Sequence, residues 1–368
     1  MSRKFKTTMI TTLIILAFLF VGGFVYLQQP PFGQNPEGEH AQKVNKSSHY
    51  QEKGFKNQHL TPDLAEGTTY FDILKAYFKK VENKEPSKPL PSVKTDLKNL
   101  PDDVPSIVWF GHSSYLLRIA GKNILVDPVF SGNASPVSFV GGNYPGSNVY
   151  AVEDFPALDL LIISHDHYDH LDYKTVKALQ PKVKQVVTSL GVGSHLQRWG
   201  YSTSQITELD WWDKTSIDDS LTITAAPARH FSGRGIKRAQ TFWSSFILKT
   251  PQYNLYLGGD SGYDTHFKEI GEKYGPFDLA ILECGQYNQM WKYIHMMPEE
   301  TAQAAVELKA KTLLPVHWAK FTLALHPWTE PIERVTKKAQ ELQLPVTTPM
   351  IGEVVEINRN YPTKTWWK

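Results

Sequence analysis

Nine residues, SHDHYDHLD from Ser164 to Asp172, hold three histidines and three aspartates. Imidazole nitrogen and carboxylate oxygen are both good donors to zinc and related cations. In the spacing H-x-H-x-D-H, His165 and His167 stand two apart and can face one ion. Asp169 and His170, beyond the turn, can face a second. A single histidine here would ordinarily read as a helix cap or a loop residue. Four metal-competent side chains in six residues point instead to metal chemistry.

The cluster needs rigid neighbours. Leu158 to Ile163 is a short apolar run ending in β-branched residues, which predicts a buried strand. Asp172 is placed to cap a helix over 173–180 that Pro181 stops. Three later places repeat the pattern of a donor just past a short apolar strand. Leu221 to Pro227 leads to His230, Asn254 to Leu257 leads to Asp260 between glycines, and Thr312 to Val316 leads to His317. Each alone is weak, but parallel strand ends gather at one sheet edge, where sites form.

The chain of 368 residues is 41% apolar and 21% charged, enough for a large core. A net charge of +2 gives no field for a polyanion, so nucleic acid is not an expected partner. Cys284 is the only cysteine, which excludes an internal disulfide and a Cys-rich zinc site. Arg3, Lys4 and Lys6 precede Met9 to Leu27, nineteen residues without a charge. That length suits a membrane-spanning helix. A cleaved signal peptide is the competing reading, but no small-x-small site follows, so an uncleaved anchor is preferred. Positive residues before the span place the N-terminus in the cytoplasm and the rest outside, periplasmic or extracellular in a bacterium.

The expected division is a basic start (1–8), an anchor (9–27), a linker region (28–105), a catalytic domain (106–360) and a tail (361–368). Within the linker region, 28–66 reads as extended and 85–105 as a connector with five prolines. Between them, Phe71, Leu74, Tyr77 and Phe78 lie at helical spacing, predicting an amphipathic helix over 68–81. It either packs on the main domain, the commoner outcome, or lies in the membrane interface. From 106 onward a β-meander is followed by alternating strands and helices, which suggests sheets covered by helices.

In this order, H-x-H-x-D-H, a strand-end His, an Asp in GGDSGY and a final strand-end His, the chain resembles the metallo-β-lactamase superfamily. Within it, WFGHSSYLL, DPVF, SHDHYDHLD, PARHFSGR, HMMPEE and LPVHWAKFTLALHPWTEP are most similar to the N-acyl-phosphatidylethanolamine-hydrolysing phospholipase D branch. The likeness runs from about Gln34 to near Glu356. It implies an α/β fold, an αββα sandwich of two sheets flanked by helices, behind the transmembrane helix. It implies two zinc ions per chain. His165, His167 and His230 would hold one, Asp169, His170 and His317 the other, and Asp260 would bridge them.

The same resemblance implies attack on a phosphodiester by a hydroxide between the metals. It places His295 beside the metals as a phosphate contact or proton carrier, and Asp127 behind a ligand. His112 is a second supporting candidate, equally well read as a bonded sheet-edge histidine. Tyr287, Met290 and Trp291 of GQYNQMW are candidates to line a lipid groove, although aromatic residues are more often core. His326 is unassigned. The expected substrate is a phospholipid, cleaved to phosphatidic acid and an N-acyl-ethanolamine, with the membrane as partner and a homodimer left open. The alternatives are a hydrolase of the same fold acting on a lactone, amide or soluble phosphodiester, and a non-catalytic or redox iron protein.

Overall fold

A computed structural model describes residues 3–368. The basic start and the charge-free stretch form one helix, α1, over Arg3–Leu27. At 1.5 Å per residue it is roughly 37 Å long. It is long and apolar enough to cross a membrane, and no residue of it is buried by the rest of the chain.

The segment after α1 is more ordered than its polar composition suggests. It contains α2 (Gly38–Val44) and a short hairpin of β1 (Tyr50–Gln51) and β2 (Gly54–Phe55). Val44 and Phe55 are buried against Trp211, Phe242 and Trp243, and His40 pairs with Glu208 at 2.7 Å. Contacts with residues far along the chain therefore hold a stretch with no internal period. The amphipathic helix is α3, over Tyr70–Tyr77, started by a Thr69–Asp72 capping box. It is shorter than expected and buries none of its residues, because its inner side borders a cavity rather than a core. The main domain also begins before Ser106, since Leu90 and Leu97 already sit in its two cores.

From there the strands are β3 (Ser106–Trp109), β4 (Tyr115–Ile119), β5 (Lys122–Val126), β6 (Leu158–Ile163), β7 (Val183–Ser189) and β8 (Ile206–Leu209). They continue as β9 (Lys214–Asp218), β10 (Leu221–Ala226), β11 (Ser245–Lys249), β12 (Asn254–Leu257), β13 (Leu279–Glu283), β14 (Leu313–Val316) and β15 (Val354–Glu356). One sheet has the order β15-β3-β4-β5-β6-β7-β8 and the other β14-β13-β12-β11-β10-β9. Pairing is parallel across β5–β8 and β12–β14 and antiparallel elsewhere in these two sheets.

Side chains alternate across a strand, so each strand serves two layers. Ile107, Trp109, Leu117, Ile124, Leu160 and Ile162 share the larger core with Ile223, Phe246, Leu248, Leu255 and Ile281 of the opposite sheet. Their neighbours Val108, Leu116, Leu125, Leu161 and Ile163 face the other way. They pack against Val176 and Leu179 of α4 (Tyr173–Leu179) and Leu196 of α5 (Gly193–Arg198). The second sheet is covered by α6 (His266–Tyr274) and α7 (Pro298–Glu307), and α8 (Glu330–Glu341) supplies Ile332 and Val335 to the same core. The result is the αββα sandwich. The C-terminal residues are not a loose tail: Trp366 stacks on Trp318 at 5.1 Å, and Trp367 meets the same ring edge-on.

Candidate metal centre

Every donor that the sequence singled out follows the C-terminal end of a strand. His165 follows β6, His230 β10, Asp260 β12 and His317 β14, and Asp127 follows β5. These strands point the same way within each sheet, so the sandwich brings all seven proposed ligands to one edge. Backbone strain marks the place: Asp127, His112 and His317 have φ of 41°, 52° and 69°, a region that such residues seldom adopt. Gly259 lets Asp260 approach, since a Cβ there would lie 2.8 Å from Ser164 Cβ.

Two donor groups are present. In the first, His167 Nδ1 lies 2.9 Å from His165 Nε2 and 3.1 Å from His230 Nε2. Asp260 Oδ2 stands 3.8 Å from His165 Nε2 and 3.7 Å from His230 Nε2. Donors at the corners of a tetrahedron about zinc are roughly 3.3 Å apart, given metal–nitrogen distances near 2 Å. In the second group, His112, Asp169, His170 and His317 converge within 4.8 Å. Asp260 Oδ1 faces this group, 3.1 Å from both His170 Nε2 and His317 Nδ1. One carboxylate thus turns one oxygen to each group.

The residues fit cations better than they fit one another. His170 Nε2 and Asp260 Oδ1 are buried, and neither has a hydrogen-bond partner despite their closeness. Orphaned buried polar atoms are rare and costly, and an ion between them removes the cost. Burial pushes the His165, His230 and His317 imidazoles well below their ordinary pKa, which leaves their lone pairs free to donate. Burial alone would raise the Asp260 and Asp169 carboxyls. The surrounding histidines together, His170 foremost and then His317 and His295 for Asp260 and His112 and His317 for Asp169, hold both well below the usual carboxylate range.

The other faces of the donors are anchored. His170 Nδ1 bonds Asp127 Oδ2 at 2.8 Å, while Asp127 also accepts from Ser164 N and Oγ. His230 Nδ1 donates to the Ile294 carbonyl at 2.8 Å, and His165 Nδ1 lies 3.0 Å from Ser164 Oγ. His112 Nε2 lies 2.9 Å from Asp169 Oδ2, so this histidine steadies a donor. Such outer contacts fix ring orientation and tautomer.

The groups open into a cavity of about 340 Å³. One wall is polar, with His167, Asp169, His230, Asp260, His295 and His317. The other is largely apolar, with Leu64, Tyr70, Ile73, Tyr77, Trp291 and Leu323. Tyr77 Oη donates to the Leu323 carbonyl at 3.2 Å and pins α3 across the mouth. Trp291 is on the wall, as the sequence suggested. Tyr287 is not: it is buried, its ring stacks on His326 at 4.5 Å, and its hydroxyl donates to Glu330 at 2.6 Å. His326 accepts from Gln286 N and has the same supporting role.

Sequence reasoning missed Glu283, which is buried at the end of β13. It had a signal: an acid closing a wholly apolar strand, LAIL, in step with the other strand-end donors. Its carboxylate lies 3.0 and 3.2 Å from His295 Nδ1, so the ring's remaining nitrogen is Nε2. Burial opposes a charge on His295, but Glu283, helped by Asp260 and Asp169, raises the imidazole to about 9. Glu283→Gln keeps an acceptor and removes that charge. A protonated His295 should then be lost at lower pH, moving the alkaline limb of the kcat–pH profile down by about one unit. We expect kcat to fall about twofold at pH 8 and about tenfold at pH 10. An unmoved limb would remove Glu283 from any role in tuning His295.

Paired donor groups at strand ends, between two sheets flanked by helices, define a metal-dependent hydrolase. A family model described as the β-lactamase superfamily domain matches residues 122–318, and the chain belongs to that superfamily, in its metallo-hydrolase form. An uncharacterized protein of Mycobacterium tuberculosis is 40% identical over 287 residues, 77% of each chain. The N-acyl-phosphatidylethanolamine-hydrolyzing phospholipase D 1 of Caenorhabditis elegans is 33% identical over 228 residues, 58% of this chain and 64% of the worm protein. Among solved structures, the metallo hydrolase Igni18 of Ignicoccus hospitalis superposes with a TM-score of 0.53 at 20% identity, over 70% of this chain and all of that one.

Proposed function

We propose that this protein is a zinc-dependent phosphodiesterase of the phospholipase D type. It cleaves N-acyl-phosphatidylethanolamine-like lipids to phosphatidic acid and an N-acyl-ethanolamine. The observation that carries the reading is Asp260, with one oxygen toward each of two donor groups, at the foot of a cavity whose far wall is apolar. The 33% identity to the worm phospholipase D supports the substrate class.

In this reading His165, His167 and His230 hold one zinc, Asp169, His170 and His317 the other, and Asp260 both. Such a pair supplies Lewis acidity toward a phosphoryl oxygen and lowers the pKa of water to about 7. The chain does the rest. Asp127 and His112 hold His170 and Asp169 in place against the strain at their own backbones. His295, aimed by Glu283, holds a proton at Nε2 for the departing alkoxide. Tyr70, Ile73 and Trp291 exclude water and cover the acyl side of the substrate.

The test uses the purified full chain. Elemental analysis should give about two zinc per chain. Vesicles of N-acyl-phosphatidylethanolamine, a γ-lactone and bis(p-nitrophenyl) phosphate are offered in parallel. The lipid should yield both expected products at the highest kcat/KM. Lactone opening with both diesters untouched would replace the substrate class and keep the metal centre.

A further inference from the structure

Outside α1, the large apolar side chains most exposed to solvent are Leu60, Tyr70, Phe71, Phe78, Phe139 and Ile236. Three of them are on or beside α3. The inner side of that helix, Tyr70, Ile73 and Tyr77, lines the cavity. Its outer side carries Phe71 (71% exposed), Leu74 (54%) and, just past its end, Phe78 (84%). These fall at i, i+3 and i+7, one stripe of a helix. A stripe of this kind bare in water normally marks an interaction surface.

What covers it follows from the exit of α1. The backbone just past that helix is fastened to the domain. Arg198 donates to the carbonyls of Gln28 and Gly33, Trp199 Nε1 to that of Pro30, and Arg234 to that of Pro31. The domain therefore cannot swing freely on a tether. A hollow at this exit is lined by Phe24 and Leu27 of α1 and by Ile236 and Lys237 of the domain. Ile236 is 85% exposed. Two residues on, Arg238 lines the catalytic cavity, whose mouth α3 crosses. Ile236 at the anchor exit thus stands two residues from Arg238 on the cavity that α3 also lines. Exposed cations accompany the apolar groups: Lys237 beside Ile236, Lys75 on α3, and Lys79 and Lys80 beyond it. Apolar stripes bordered by lysines suit the interface of an anionic bilayer.

We propose that Phe71, Leu74, Phe78 and Ile236 form a membrane-docking face, seated in the bilayer that α1 crosses, so that the cavity mouth opens onto the lipid surface. The proposal rests on α1 being a membrane anchor. It does not require the phospholipase reading, although it explains how a lipid would reach the metals without crossing water.

The full chain carrying Phe71→Cys is labelled with an environment-sensitive nitrobenzoxadiazole. Cys284 is buried and leaves the new thiol as the reactive one. The protein is reconstituted into phosphatidylcholine–phosphatidylglycerol vesicles, with or without brominated acyl chains, and washed with carbonate. Retained protein should show at least twofold quenching by brominated lipid at position 71. A label at Glu341→Cys, on the exposed side of α8, should show none. Retained protein with an unquenched label at 71 overturns the docking face and leaves the anchor standing. Protein removed by the wash overturns both. In a second arm, a Phe71→Ser, Phe78→Ser double variant should hydrolyse soluble bis(p-nitrophenyl) phosphate within twofold of wild type. On vesicle lipid it should be about tenfold slower. Equal rates on vesicles, or equal losses on both substrates, overturn the proposal. Wild type inactive on both diesters rejects the phospholipase reading alone, since the quenching stands apart from catalysis.

Discussion

Asp260→Asn should lower kcat/KM roughly 10³-fold, about 4 kcal/mol of barrier, with bound zinc falling from about two toward one per chain. The reason lies in the two faces of the carboxylate. Oδ1 stands 3.1 Å from His170 Nε2 and His317 Nδ1, and Oδ2 looks toward His165 and His230. An asparagine has the same shape but offers one oxygen and turns an N–H toward the other group. Whichever way it sits, one set of imidazole lone pairs meets a donor instead of an ion. Asp127→Asn is the measure for comparison. It touches no proposed ligand but His170, at Nδ1, and otherwise accepts from Ser164, so its loss should be about 10–100-fold. Full zinc loading together with wild-type turnover in Asp260→Asn would end its assignment as the bridge.

The second large effect is on stability. Arg234 is buried and turns its planar five-donor guanidinium toward three backbone carbonyls. Its Nη1 donates to Asp166 and Leu171 at 2.6 and 2.7 Å, the two ends of the donor loop, and Nε and Nη2 both reach Pro31. The guanidinium also lies 4.1 Å over the Tyr168 ring. Arg234→Ala leaves buried carbonyls unsatisfied and should destabilise the fold by about 3–5 kcal/mol. The thermal midpoint should drop by roughly 5–10 °C. Arg234→Lys keeps the charge but loses the fork and should restore only part of it. Differential scanning calorimetry checks this, with limited proteolysis of the 28–37 segment as a second readout. An unchanged midpoint would show that the loop holds its shape without the clamp.

Much of the grouping of these donors is legible in the sequence. Strands β6 and β10 are mostly apolar, and a donor follows within a few residues of the end of each, so strand and ligand announce one another. The donors lie on separate strands, yet their common position at strand ends was enough to group them. What stayed hidden depends on distant partners. Edge strands β8 and β9 carry few buried side chains, so they lack the apolar signal that marks a core strand. Helix α2 is short and polar, and its order comes from His40 meeting Glu208. Tyr287 looked like a groove residue because it sits beside Trp291 in sequence. The chain turns between them, sending one ring to the cavity and the other to His326. Glu283 went unnoticed because a lone acid at a strand end says nothing until His295 is placed beside it.

The tryptophan packing at the C-terminal end carries a consequence for biosynthesis. His317 is followed at once by Trp318, and Trp366 stacks on that indole while Trp367 meets its edge. The backing of the last donor therefore comes from residues synthesised well after it. Until those residues arrive, the histidine-rich loop can form but the indole beside His317 lacks its packing. Fusion partners and purification handles joined directly after Lys368 would press on the same packing, so a spacer, or a tag elsewhere, is the safer engineering choice.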